Sequence, residues 1–179
     1  MSDQKRVFLV DAFALIFRGY YAFIKNPRIN SKGLDTSAIM GFMNSLLDVI
    51  KRERPDYLAV CFDKGGSADR VEMFEAYKAN RDETPEAIKI AVPYIQDILK
   101  AMQIPIMVKS GFEADDIIGT LAKQAEKDGY TTFMVTPDKD LHNWFLKIFL
   151  CTNLVLEVDM IFGECQKYKR NLVLKTHYK

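Results

Sequence analysis

Four short apolar runs in this chain each hand over to acidic residues. RVFLV leads into Asp11, YLAVCF into Asp63, IPIMV towards Glu113, Asp115 and Asp116, and TTFMV towards Asp138 and Asp140. Runs of this length, rich in Val, Ile, Leu and Phe and separated by helical patterns, read as buried strands of a parallel α/β sheet. The carboxyl ends of such strands share one edge, where ligands bind in open α/β sheets. Seven carboxylates on that rim repel one another unless cations lie between them. The predicted chemistry is that of a metal-dependent active site. Oxygen-only ligation suits Mg²⁺ or Mn²⁺, and no His or Cys cluster points to zinc. Two such ions roughly 4 Å apart suit in-line displacement at a phosphodiester.

The densest group is Gly111-Phe112-Glu113-Ala114-Asp115-Asp116. Acids in an opening helical turn favour the helix dipole, so N-capping is one reading of it. Capping needs one acid, however, and three together call for a cation. Glu113 and Asp116 share a helix face at i, i+3, while Asp115 points elsewhere. The group can therefore serve two ions, or an ion and a water. Asp138 and Asp140, two apart after a strand, either face the same rim or mark a Pro-Asp turn. Asp11 and Asp63 gain weight only through convergence with the others. After Asp63, the basic residues Arg70, Lys78 and Arg81 alternate with Phe74, Tyr77 and acids. Basic side chains hold phosphates and aromatics stack the bases of a single strand. A solvated, salt-bridged helix is the competing reading of that stretch. His142 and His177 are isolated and read as surface residues.

Positioning these residues falls to an alternating α/β pattern. Strands are expected over 6–10, 57–62, 104–108 and 131–135. A helix-like segment follows the first strand through Phe17 and Tyr21. Ile39, Phe42, Met43, Leu46, Leu47 and Ile50 keep helical spacing. They predict a helix from a cap at Asp35, Thr36 or Ser37 to about Arg54. Thr84-Pro85-Glu86 is a helix start with Pro at the first helical position. That helix, reaching about Met102, is expected to kink or break near Pro93. Another spans about Glu113 to Lys127 and ends at Asp128-Gly129, with Gly as a left-handed cap.

Composition sets outer bounds. At 179 residues the chain fits one domain with a sizeable core. No apolar run approaches the roughly 20 residues that span a bilayer, and MSDQKR is no signal peptide. No membrane partner and a cytoplasmic location are expected. Cys61, Cys151 and Cys165 form neither a C-x-x-C pair nor an even framework, as in a reducing compartment. Net charge is +1 and decides nothing about nucleic acid. Its distribution says more: residues 1–140 hold 19 Lys/Arg against 21 Asp/Glu, the last 39 hold 6 against 3. The acidic excess lies with the proposed metal site.

These residues together resemble the N-terminal 5′-3′ exonuclease domain of bacterial DNA polymerase I, in the 5′-nuclease or flap-endonuclease group with a PIN-like fold. The matching motifs are Phe8-Leu9-Val10-Asp11, Val60-Cys61-Phe62-Asp63, Tyr77-Lys78-Ala79-Asn80-Arg81, the Gly111–Asp116 segment and Thr136-Pro137-Asp138-Lys139-Asp140. They stand in family order and spacing from about Lys5 to Leu141. The resemblance implies a three-layer α/β domain with a central, mainly parallel sheet. It implies Mg²⁺-dependent removal of 5′ flaps and RNA primers during DNA replication and repair. Asp11, Asp63, Glu113, Asp115, Asp116, Asp138 and Asp140 would bind metal, with two Mg²⁺ or Mn²⁺ ions in the complete family site. Lys78 and Arg81 would lie in a helical arch near residues 64–84 and grip the scissile phosphate, with Tyr77 and Arg70 as further DNA contacts. The implied partner is DNA with a 5′ flap or 5′ end, bound by a monomer, and a polymerase domain downstream is a further implication.

The pattern stops near Leu141. Members of the family continue with another strand, a Gly-x-x-x-Asp-Asn-x-x-Gly segment and a helix-hairpin-helix. The PIN-like domain is therefore expected to span 1–141, truncated before the hairpin part, with 142–179 an atypical tail. Its apolar run from Ile148 to Leu156 has no evident partner strand. A shifted reading frame accounts for it. Taking the third base of each codon with the first two of the next, His142 to Leu154 can be read as QLVSENIFMYKP, which is family-like. The expected activity is 5′-3′ exonuclease and flap endonuclease. The alternatives are a catalytically impaired fragment that binds metal and DNA, or another PIN-type nuclease; the arch segment argues against a compact ribonuclease.

Overall fold

The structure, a computed structural model, describes residues 5–63, 84–137 and 146–150. Strand β1 (Arg6–Asp11) sends Val7 and Leu9 to one face and Phe8 and Val10 to the other, and all four are buried. A strand covered on both faces needs the unbroken apolar run that this one has. β2 (Tyr57–Phe62), β3 (Ile106–Val108) and β4 (Thr131–Pro137) join it in the order β3-β2-β1-β4, all parallel. β5 (Leu146–Leu150) adds to the edge of β4 antiparallel. The sheet is mainly parallel, as expected.

Helices cover both faces. α1 (Ala12–Ala22), α2 (Ser37–Glu53) and α3 (Glu86–Ala101) share one core with Phe8, Val10, Val60 and Val135. α4 (Ala114–Lys127) packs Ile118, Leu121 and Ala122 on the opposite face, against Val7, Leu9, Ala59 and Cys61. The expected three layers are present. Each fully buried Leu, Ile or Phe contributes roughly 1.5–3 kcal/mol. α1 and α2 meet at two glycines, since a Cβ on Gly41 would stand 2.3 Å from Gly19 Cα. Only glycine lets the two backbones approach so closely.

Local chemistry sets the element ends. Asp35 Oδ1 accepts the Ser37 N–H at 2.8 Å, with Thr36 at the cap position of α2. That helix stops at Arg54, which takes φ +46° immediately before Pro55, a residue that disfavours helix at the position ahead of it. Gly129 at φ +80° ends α4 as predicted. Four expectations need correction. Pro85 is the N-cap of α3 rather than its first helical residue, and the helix continues uninterrupted through Pro93. A helical Pro costs about 3 kcal/mol, which the burial of Ile88, Ala91, Ile95 and Leu99 on one face outweighs. β3 begins at Ile106 rather than Ile104, because the Ile104 N–H closes the end of α3 on the Leu99 carbonyl and Pro105 has no N–H. Lastly, the start of the apolar run in the tail, residues 148–150, does have a partner strand, because it lies in β5. β4 offers a ladder of main-chain groups to any extended segment.

At the amino ends of the strands, Arg6 ties β1 to α2. Its guanidinium donates to the Glu53 and Arg54 carbonyls at the helix C-terminus and lies 3.8 Å from the Glu53 carboxylate. Its backbone N–H donates to Asp56 Oδ2 at 2.8 Å. Beside it, Lys5 Nζ donates to the Tyr57 hydroxyl at 3.2 Å, and the rings of Tyr57 and Tyr130 meet edge-on with centroids 5.3 Å apart.

Candidate metal centre

The chain leaves β1 for β2 and β3 on one side and returns to β4 on the other. The crevice at the carboxyl ends of β1 and β4 is thus the topological switch point, where open α/β sheets bind ligands. Asp11 ends β1 at that place and serves as the N-cap of α1, its Oδ1 accepting the Ala14 N–H at 3.0 Å. Burial pushes its carboxyl up to about 6, and the charges of Asp115 and Asp63 push in the same direction against the Ala14 hydrogen bond. Two residues past the Cα partner of Asp11, Cys61, the chain leaves β2 at exposed Asp63. Asp63 Oδ1 accepts the Ala114 N–H, which binds the start of α4 to the end of β2.

The Gly111–Asp116 segment divides. Glu113, 8% exposed, is the N-cap of α4, and its N–H donates to Asp116 Oδ2 at 3.1 Å in a capping box. N-capping is therefore the work of Glu113 and Asp116, while Asp115 brings its charge towards Asp11. Asp115, exposed in the first turn, is the acid of this segment whose charge reaches Asp11 and Cys61. Buried Cys61 lies beneath the group; burial raises its thiol pKa strongly, with further upward pushes from Asp11, Asp63 and Asp115. Asp138, Asp140, Arg70, Tyr77, Lys78 and Arg81 lie outside the described residues.

Two organising groups escaped the sequence reading: the N–H of Ala14, which holds Asp11, and the N–H of Ala114, which holds Asp63. The first had a signal, an Asp directly before a helical run and three residues ahead of its donor. The second joins residues 51 apart in the chain and had none.

Among the described residues no three of these acids gather closely enough to hold an ion by themselves. Asp11 nevertheless carries the electrostatic load of two acid neighbours, which a cation would relieve. The donor set is all carboxylate oxygen, and that chemistry fits a hard divalent ion.

Residues 6–169 match the model of the family described as 5′-3′ exonuclease, N-terminal resolvase-like domain. The chain belongs to this family. The match runs past Leu141, beyond the end of the motifs found in the sequence. A 5′-3′ exonuclease of Aquifex aeolicus is 37% identical over 138 residues, 77% of this chain and 47% of that protein. DNA polymerase I of Bacillus subtilis is 39% identical over 142 residues, 79% of this chain and 16% of that protein. DNA polymerase I of Treponema pallidum is 37% identical over 160 residues, 89% of this chain and 16% of that protein. The chain thus spans a sixth to a half of the length of these relatives. Among solved structures, T5 5′-exonuclease with bound divalent zinc ions superposes with a TM-score of 0.55 at 23% identity, over 76% of this chain and 50% of that one. That likeness establishes the PIN-like nuclease fold. No helix among the described residues is long and apolar enough to cross a membrane.

Proposed function

We propose that this chain is the amino-terminal part of a metal-dependent 5′-to-3′ exonuclease and flap endonuclease that hydrolyses DNA phosphodiesters in the cytoplasm. The observation that carries the reading is Asp11, at the switch point of a parallel sheet and under the charges of Asp63 and Asp115, in a chain of this family. Those three, with Glu113, Asp138 and Asp140, would hold one or two Mg²⁺ or Mn²⁺ ions, while Asp116, whose carboxylate accepts the Glu113 N–H, would hold the turn that carries Glu113 and Asp115. Bound there, such ions stabilise the charge that develops on a phosphodiester under attack. Lys78 and Arg81 would grip the scissile phosphate, and Arg70 and Tyr77 a neighbouring stretch of strand; these four roles rest on the motif match. DNA with a 5′ end or 5′ flap is the proposed partner of a monomeric chain. Residues 1–141 make up the proposed nuclease part with an arch near 64–84, and 142–179 a frame-shifted tail.

The test is Mg²⁺-dependent release of a labelled 5′ flap by the chain and two variants. Lys78→Ala should lower the cleavage rate about 100-fold with little loss of DNA affinity, the signature of an interaction made in the transition state. Arg81→Ala should weaken DNA binding as well. Equal and small effects of both would reduce the chain to a fragment that binds metal and DNA without an arch.

A further inference from the structure

Two consecutive N–H groups at the start of α4 are bound by two different carboxylates. That of Glu113 donates to Asp116 Oδ2 at 3.1 Å, and that of Ala114 donates to Asp63 Oδ1. Asp63 stands alone after β2 and is exposed, while the residue next to its donor, Glu113, is buried. A further hydrogen bond, from Thr120 Oγ1 to the Asp116 carbonyl at 2.8 Å, fixes the backbone of Asp116 itself. The first turn of α4 is therefore a relay between Asp116 on the helix and Asp63 on the sheet.

We propose that Asp116 is a positioning residue: by accepting the Glu113 N–H it sets the first turn of α4, and the next N–H, that of Ala114, aims Asp63 at the rim. Asp115 contributes its charge to the rim, whereas Asp116 contributes an acceptor. The two adjacent acids thus have different work, and the difference rests on the reading of the rim as a metal centre. An acceptor can be replaced by a neutral one of the same shape, because Asn caps a helix about as well as Asp. A metal-binding charge cannot be replaced in this way.

The experiment compares the full chain with Asp116→Asn, Asp116→Ala and Asp115→Asn. It reads the melting temperature without metal, Mn²⁺ affinity by calorimetry, and hydrogen exchange at the Ala114 amide. Asp116→Ala should melt about 2–4 °C lower, exchange the Ala114 amide about tenfold faster and bind Mn²⁺ about tenfold more weakly, as loss of an outer-shell partner does. Asp116→Asn should restore all three. Asp115→Asn should lose Mn²⁺ affinity with no drop in melting temperature. The inference is overturned if Asp116→Asn loses as much Mn²⁺ affinity as Asp116→Ala, or if Asp116→Ala leaves the Ala114 amide protected. Absence of Mn²⁺ binding by the unaltered chain would instead sink the metal reading, and the amide exchange would still decide the relay.

Discussion

The two edges of the sheet hold charge in opposite ways. At the amino ends of the strands, Arg6 meets the Glu53 carboxylate, the side chain of Asp56 and the carbonyls that end α2. Opposite charges are matched, and a cation sits where the helix dipole favours one. At the carboxyl ends, Asp115 and Asp63 act as like charges on Asp11, which is half-buried. The N-termini of α1 and α4 offset part of that repulsion. One edge stabilises the fold, and the other keeps a destabilising arrangement, of the kind that the proposed metal centre would require.

The sharpest way to break this contrast acts on the tail. If the rim needs ligands that the family carries beyond Leu141, restoring the frame there should speed Mg²⁺-dependent release of a labelled 5′ flap by roughly 100-fold or more. It should also steepen the fall of DNA affinity with salt, one step for each phosphate newly held. Comparable turnover by the chain as it stands would mean that residues 142–179 complete the rim themselves. The reach of the family match to residue 169 makes that a real alternative.

The amino edge should respond to mutation in the ordinary direction. Arg6→Ala removes hydrogen bonds to the end of α2 and leaves the Glu53 and Arg54 carbonyls to water. A loss of about 1–2 kcal/mol follows, or roughly 3–6 °C in melting temperature. Because no metal is involved, the loss should be the same with and without millimolar Mg²⁺. A loss that vanished in Mg²⁺ would merge the two edges into one cooperative unit.

The carboxyl edge should respond to cations. Mg²⁺ at about thirty times its dissociation constant adds roughly 2 kcal/mol by mass action, raising the melting temperature by a few degrees. Asp115→Asn should shrink that rise while leaving the metal-free melt no lower, since it removes a charge and keeps the shape. An unchanged melt across the Mg²⁺ range would count heavily against the centre.

How much of this was legible in the chain follows from which signals are local. The four parallel strands came from short apolar runs, α2 from helical spacing, and α3 and α4 from their start and stop signals, while β5 was not foreseen; Gly129 and Pro55 marked the ends of their helices. Asp11 and Asp63 were found because each follows an apolar run. The split within Glu113, Asp115 and Asp116 was not readable, since the spacing permits both a capping box and a ligand set. Only the Ala114–Asp63 contact, between residues far apart in sequence, shows how that turn is anchored. The continuity of α3 through Pro93 was hidden for a similar reason: local propensity opposes it and tertiary burial decides it.

The smallest expected effect is one of protonation and isolates Asp11. Its folded carboxyl titrates near 6, well above its ordinary value of 3.8, chiefly because of burial. Between those two values the folded chain binds more protons at this site than the unfolded chain, so stability falls as pH rises through the window. Above it, the full cost of the buried charge is present. Asp11→Asn retains an acceptor for the Ala14 N–H and removes the charge, so without divalent cations the variant should outlast the unaltered chain at pH 7.5. Towards pH 5 the unaltered chain regains about 1 kcal/mol by protonation, and the gap should narrow by roughly 2–4 °C. Melts of both proteins at the two pH values, in chelator, measure it. A gap that widened on acidification would mean that Asp11 is held as a favourable anion, and the contrast between the edges would fail at its central residue.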